Sequence, residues 1–249
     1  MGVDVTGGGT DILRARPVGT GIAMDGRWSF SDVAPHFDEH VRQSVPGYES
    51  NHDLTCAISR FFCRSGGRCY DLGTSTGELL RRIAQANERL EDVEWIGIDS
   101  EPAMVDAAAR NCRHLATARF EVTDLAGAQL RECDFVSCFL VLQFVPVEQR
   151  LGIVERIFSA LRQGGGLVLY EKVRERDTRI ESVVAALHYE FKRYHGISAD
   201  EILNKAQSLA LALEPLESVD NIGMLRAAGF RSVALVAKDL PFEGYLAIK

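Results

Sequence analysis

Seven consecutive residues, Asp71-Leu72-Gly73-Thr74-Ser75-Thr76-Gly77, have the composition of a ligand-binding turn. The apolar run Arg68-Cys69-Tyr70-Asp71-Leu72 leads into it, and a helical pattern over 78–86 leads out. Glycines in such a turn let a ligand approach the backbone, and the helix that follows offers free amides. A dinucleotide fingerprint would place glycines where a pyrophosphate has to be cradled. Here Ser75 stands at the second of those positions, and an acid precedes Gly73 by two residues. A carboxylate at that strand end suits a cationic amino group better than a phosphate. Asp99 ends the next apolar run, where a carboxylate can accept both hydroxyls of a ribose. Thr123-Asp124-Leu125 follows the third run, where an acid can accept the amino group of an adenine. Any one of these acids would serve equally as a helix N-cap or a solvated loop residue. Three of them at three successive strand ends form a pattern.

An amino-acid end, a ribose and an adenine, with no phosphate, describe S-adenosylmethionine. The residues assigned to it are Asp71, Gly73, Thr74, Ser75 and Gly77 in the turn, and Asp99, Ser100 and Met104 after the second run. Thr123, Asp124 and Leu125 complete the set after the third.

The elements that position these residues alternate between two periodicities. Strands are expected at 68–72, 93–98, 118–122, 134–142 and 167–172, and helices at 53–62, 78–86, 102–114 and 147–161. Pro102 suits a first helical turn, and Gly164-Gly165-Gly166 reads as a helix stop. Residues 173–218 show no clear strand and read as a helical insert after the fifth strand. A helix at 219–228 and strands at 232–237 and 245–248 follow, the last two joined tightly enough to pair antiparallel. The fold expected is α/β, with a mostly parallel seven-stranded sheet covered by helices on both faces. Residues 1–26 read as a Gly-rich flexible leader. Residues 27–249 read as one domain, with an N-terminal arm and helix at 27–65 whose Trp28 and Phe30 form part of a lid or a packed arm.

The 249 residues carry 28 Lys and Arg against 35 Asp and Glu, a formal net charge of −7. That balance argues against a broad basic face for nucleic acid. No run approaches the roughly 20 apolar residues of a membrane span, and 1–26 has no apolar core of the signal-peptide kind. The six cysteines form no CxxC pair, so no metal is implied and reduced, buried thiols in a cytoplasmic protein are expected.

With this order of motifs, residues 66–172 and 219–249 resemble the class I S-adenosylmethionine-dependent methyltransferases, which have a Rossmann-like fold. A closer resemblance covers 27–249. It is to the carboxy-S-adenosylmethionine synthase family, which acts in tRNA wobble-uridine modification. Its carriers are Trp28-Ser29-Phe30, Phe37-Asp38, Arg42-Gln43-Ser44-Val45-Pro46-Gly47-Tyr48, Leu142-Gln143-Phe144, Glu171-Lys172 and His188-Tyr189-Glu190-Phe191-Lys192-Arg193. The resemblance implies that Tyr48 contacts the cofactor and that the protein is a homodimer. Phe139 stands where the family has an asparagine, and Gln207 stands where it has an arginine for the extra carboxylate of its modified cofactor. Gln cannot form the charged clamp of an Arg, although Lys205 lies near enough in sequence to supply a charge.

Those two departures direct the expectation toward ordinary S-adenosylmethionine and methyl transfer to a small molecule. The sharper expectation is a carboxylate-bearing acceptor such as a 2-oxo acid. The cofactor supplies an activated methyl group, and the protein must align the acceptor and exclude water. Phe139 and Gln143, on and after the fourth strand, are expected at the cofactor edge, with Phe144 beside them. Candidate catalytic residues are Glu171, His188, Tyr189 and Arg193, with Arg193 or Lys192 binding the carboxylate and His188 accepting a proton. Tyr189 and His188 serve equally as partly buried helix residues, and Lys192 and Arg193 as a solvated face. Rival readings are a carboxy-S-adenosylmethionine synthase using Lys205, a cofactor-binding subunit without catalysis, and a tRNA methyltransferase, which would require a basic patch.

Overall fold

The computed structural model describes residues 37–210 and 212–249. The expected leader, and Trp28 and Phe30 of the expected arm, lie outside the described residues. Two helices come first, α1 (Phe37–Ser44) and α2 (Tyr48–Ser59). The alternating core then runs β1 (Arg68–Leu72), α3 (Glu78–Ala86), β2 (Glu94–Asp99), α4 (Pro102–Asn111), β3 (Ala118–Val122), β4 (Cys133–Phe139), α5 (Val147–Ala160) and β5 (Leu161–Arg174). The insert carries α6 (Thr178–Tyr194) and α7 (Ala199–Leu209). The chain closes with β6 (Leu216–Glu217), α8 (Ser218–Ala227), β7 (Ser232–Asp239) and β8 (Phe242–Ile248).

The sheet order is β3-β2-β1-β4-β5-β8-β7, with the short β6 pairing β5 off that path. β1 to β5 run parallel, and β8 is antiparallel to both β5 and β7. The chain order reverses between β1 and β4, so a crevice opens at the C-terminal ends of those strands. Alternate residues of the central strands face opposite helical layers. Tyr70 and Leu72 pack with Ile153, Val154, Ile157 and Leu225. Cys69, one residue before Tyr70, packs on the other side with Leu79, Leu80, Ile83 and Cys56. Each such Leu or Ile stabilises the fold by about 1.5–3 kcal/mol on burial. All six cysteines are free and buried. Among the described residues, no helix is long and apolar enough to cross a membrane.

Three boundaries differ from the sequence expectation, each for a local reason. α2 begins at Tyr48 rather than Asp53 because Gly47 takes the left-handed conformation (φ 71°). A Cβ at Gly47 would lie 2.4 Å from Asp239 Oδ2, so the turn also needs the missing side chain. β5 begins at Leu161, and the glycine run lies within it rather than stopping the helix. A Cβ on Gly166 would meet the Phe62 ring at 2.8 Å, which gives that glycine a packing role. The insert has a strand at its neck, where β6 pairs β5 through Val173↔Leu216 and Arg174↔Glu217. An Arg174–Glu217 ion pair at 3.2 Å spans the same rung. Within the insert, α6 is capped by the Asp177 carboxylate, which accepts from the Arg179 amide at 2.8 Å. A Ser198–Glu201 capping box starts α7.

Candidate functional site

A cavity of about 360 Å³ opens over the C-terminal ends of β1, β2, β4 and β5, with α1, α6 and α7 contributing to its walls. Of the residues singled out from the sequence, Tyr48, Asp71, Gly73, Thr74, Ser75, Asp99, Ser100, Met104, Asp124, Leu125, Phe139, Gln143 and His188 line it. Gly77 and Thr123 do not. Gly77 (φ 77°) begins α3, and a Cβ there would lie 3.0 Å from Ala108, so its smallness serves helix packing. The Thr123 amide donates to the Asp99 carbonyl at 2.8 Å, which joins the two strand ends.

One end of the cavity is acidic and preorganised. Asp71 is fully buried and accepts from Ser137 Oγ at 2.7 Å and Thr74 Oγ1 at 2.9 Å. Burial pushes its pKa up to about 6 against those hydrogen bonds, and the charge of Asp99 adds to the rise. Asp99 accepts the Ser75 amide at 2.8 Å and the Glu101 amide at 3.0 Å, one on each oxygen. Burial raises its pKa as well. A carboxylate has about four acceptor positions, so both acids keep capacity for a ligand while their orientation is fixed. The turn is pinned by Gly73 and Thr74 amides donating to the Ile98 carbonyl at 2.7 and 2.9 Å. Gly73 has φ 71°, and a Cβ there would lie 2.1 Å from Val141 Cγ2, so the turn seats tightly against the exit of β4. Asp124 accepts the Ala126 amide at 2.8 Å, which holds its loop. Oriented acids at successive strand ends fit a ligand with an amino group, a ribose and a purine.

The other end is cationic, and it is built by residues far apart in sequence. Lys172 leaves β5, Lys192 comes from α6 and Lys205 from α7, and all three line the cavity. Burial lowers Lys205 to about 7, and the charge of Lys192 lowers it further. Burial lowers Lys192 to about 8, assisted by Lys172. Lys172 is lowered by its own burial, opposed by Glu181. Among the described residues, neither Lys172 nor Lys192 makes an ion pair within 4.0 Å. His40 of α1 meets Lys205 Nζ through its Nε2, and burial followed by the Lys205 charge lowers it to about 4. Neutral His40 can therefore accept from the ammonium. This end suits an anion.

The four expected catalytic residues separate. His188 lines the cavity, but its Nε2 donates to the Ser44 carbonyl at 2.8 Å. Burial, then the charge of Lys192, lowers its pKa to about 3, which makes it a weak proton acceptor. Glu171 is buried with both oxygens turned to the backbone, accepting from Val141, Leu142 and Gln143 at 3.1, 2.9 and 2.9 Å. It holds the turn that leaves β4, and burial raises it to about 7. Gln143 continues that brace, its Oε1 accepting from the Lys172 amide at 2.8 Å. Tyr189 and Arg193 are exposed on α6 and do not line the cavity. Gln207 is likewise exposed and does not line the cavity. Sequence reasoning passed over Lys172 as part of the site, although it follows Glu171 at a strand end. It also passed over His40 and His52, whose only signal is a one-turn spacing from Ser44 and Tyr48.

An aromatic wall stands beside the acidic end. Tyr48 and His52 have ring centroids 4.1 Å apart, and His52 meets Phe139 edge-on at 4.8 Å. Phe139 in turn stacks on Tyr170 at 4.3 Å.

Residues 70–165 match the model of a methyltransferase domain. This is a methyltransferase-class protein, an S-adenosylmethionine-dependent enzyme on the sheet and site just described. Over most of its length it is similar to proteins named carboxy-S-adenosyl-L-methionine synthase. The one from Staphylococcus epidermidis is 30% identical over 230 residues, covering 90% of this chain and 97% of that protein. The one from Marinobacter nauticus is 32% identical over 228 residues, covering 88% of each. The chain belongs to the carboxy-S-adenosyl-L-methionine synthase family. Solved structures share the fold. Human N-acetylserotonin methyltransferase in complex with its cofactor superposes with a TM-score of 0.58 at 18% identity, covering 88% of this chain and 58% of that one. The apo S-adenosylmethionine-dependent methyltransferase SibL gives 0.61 at 18%, covering 81% and 55%.

Proposed function

We propose that the enzyme makes carboxy-S-adenosylmethionine, placing a carboxylate on the transferable methyl carbon of its cofactor. The observation that carries this reading is the trio Lys172, Lys192 and Lys205 in the cavity that also holds Asp71 and Asp99. The acids suit the amino group and ribose, and the lysines suit the carboxylate that enters and stays. In net terms a bond forms between the methyl carbon and the carboxyl carbon of a small carboxylic acid. The donor's own bond to that carboxyl breaks, and the methyl proton ends on the donor fragment. The lysines bind and orient the anion, and the aromatic wall keeps water from the reacting carbon. The family membership supports the reading, as does the presence in the cavity of Lys205, two positions before the residue that stands where the family has an arginine.

Mass spectrometry of the ligand released from freshly purified protein tests it. A carboxylated cofactor is expected. A second reading, methyl transfer to a small carboxylate such as a 2-oxo acid, draws on the same lysines, which would then hold the acceptor. Recovery of S-adenosylmethionine or its demethylated product alone, with methyl transfer to such an acid, would replace the first reading by the second. We further propose a homodimer, supported by the exposed row Ile180, Val183 and Leu187 on one face of α6. Light scattering at micromolar concentration should give twice the chain mass.

A further inference from the structure

His52 of the aromatic wall is a buried polar residue. It lines the cavity from α2, is 1% exposed, and its Nδ1 is buried without a hydrogen-bond partner. Buried polar atoms are nearly always paired, and an exception beside a cavity points to a ligand. Its surroundings locate that ligand group. On α2 it lies between Glu49 and Asp53, both of which pair with Arg82 of α3 at 2.6 Å. His52 therefore sits toward the α2–α3 side. Tyr48, its ring neighbour, lines the same cavity as Asp71. Asp71 stands where the cofactor's amino group belongs, and the α-carboxylate is borne by the same carbon as that amino group. A donor lining the same cavity is therefore suited to that carboxylate.

We propose that His52 is a cofactor-contacting residue, its Nδ1–H donating to the α-carboxylate of S-adenosylmethionine. Two observations fit a donor rather than a charged clamp. Burial first, and then the charge of Arg82, lowers the imidazole to about 3, so it stays neutral. A neutral ring also packs between Tyr48 and Phe139 without opposing the positive sulfonium of the cofactor. The inference rests on cofactor binding alone and holds whichever transfer the enzyme performs.

The experiment is calorimetry with two ligands, S-adenosylmethionine and its decarboxylated analogue, on the full chain. His52→Phe keeps the ring contacts and removes the donor, and His52→Asn keeps a donor near the Nδ1 position. His52→Phe should weaken S-adenosylmethionine about tenfold and leave the analogue unchanged, since a hydrogen bond to a charged group is lost only for the first. His52→Asn should restore most of the difference. Equal weakening of both ligands, or of neither, would overturn the proposal and leave His52 a packing residue. Should the variants not fold, nitrogen NMR of the wild-type ring decides. The Nδ1 resonance should move with S-adenosylmethionine and not with the analogue, and equal movement with both would refute the contact.

Discussion

The two ends of the cavity are built in different ways. The acidic end comes from strand termini of one sheet, and each of its two buried carboxylates takes one hydrogen bond from a near neighbour and one from further along the chain: Thr74 and Ser137 on Asp71, Glu101 and Ser75 on Asp99. The cationic end is assembled from β5, α6 and α7, with His40 of α1 closing it. The acids are oriented before a ligand arrives. The lysines are lowered by burial, Lys205 further by the charge of Lys192 and Lys192 further by that of Lys172, so a bound anion favours their charged forms. The first end is a preformed receptor. The second is held at an electrostatic cost that ligand binding offsets, which ties anion affinity to proton occupancy.

That contrast can be broken most severely at Asp99. Asp99→Ala removes the ribose acceptor and releases the Ser75 amide, and should weaken S-adenosylmethionine about a hundredfold with the fold retained. Calorimetry with a circular dichroism control checks it, and unchanged affinity would refute the assignment of this end to the cofactor. Next in size is Lys205→Met, which should weaken the carboxylated cofactor about tenfold while S-adenosylmethionine changes less than about twofold. Equal losses for both ligands would mean that the two ends do not act separately. A smaller effect is set by pH. Lys205 and Lys192 lie at about 7 and about 8, so both lose charge as pH rises through that window. A bound anion favours the charged form and moves the window upward. The ratio of carboxylated to ordinary cofactor affinity, which cancels the amino group common to both, should fall several-fold above it. A ratio rising with pH would exclude the lysines as the anion site. The smallest effect is expected at Gln207→Arg, where the exposed position predicts less than about a twofold change in carboxylated-cofactor affinity. A tenfold gain would show that α7 turns this face inward on binding.

The sequence disclosed the acidic end because its signals are local: an acid, a glycine turn and a strand end within a few residues of each other. The same reasoning also pointed at Glu171, another acid at a strand end. There it failed, because the amides of Val141, Leu142 and Gln143 come from a turn some thirty positions earlier and claim both oxygens. On α6 the sequence ranked Arg193 with Lys192, yet adjacent helical residues point about 100° apart. Lys192 reaches the cavity and Arg193 reaches solvent. Periodicity could not choose between them, because the inner face of α6 borders a cavity and buries only His188 in full. The expected seven strands and the insert follow from alternation of apolar periods. The start of α2 and the extended β5 depended on the close approach of Asp239 and Phe62, which lie far from Gly47 and close to no glycine of the run in sequence.

The two-rung neck formed by β5 and β6 sets the insert apart as a cassette. Its ends leave and return on hydrogen-bonded neighbours, about 4.8 Å apart. Closing so short a gap with a different segment costs little chain entropy, and the cofactor-holding strands lie wholly outside it. Lys192, Lys205 and His188 travel with that cassette, while Asp71, Asp99 and Asp124 stay behind. Exchanging 175–215 between related enzymes would thus move two of the three lysines together, with Lys172, His40 and recognition of the nucleoside left in the recipient.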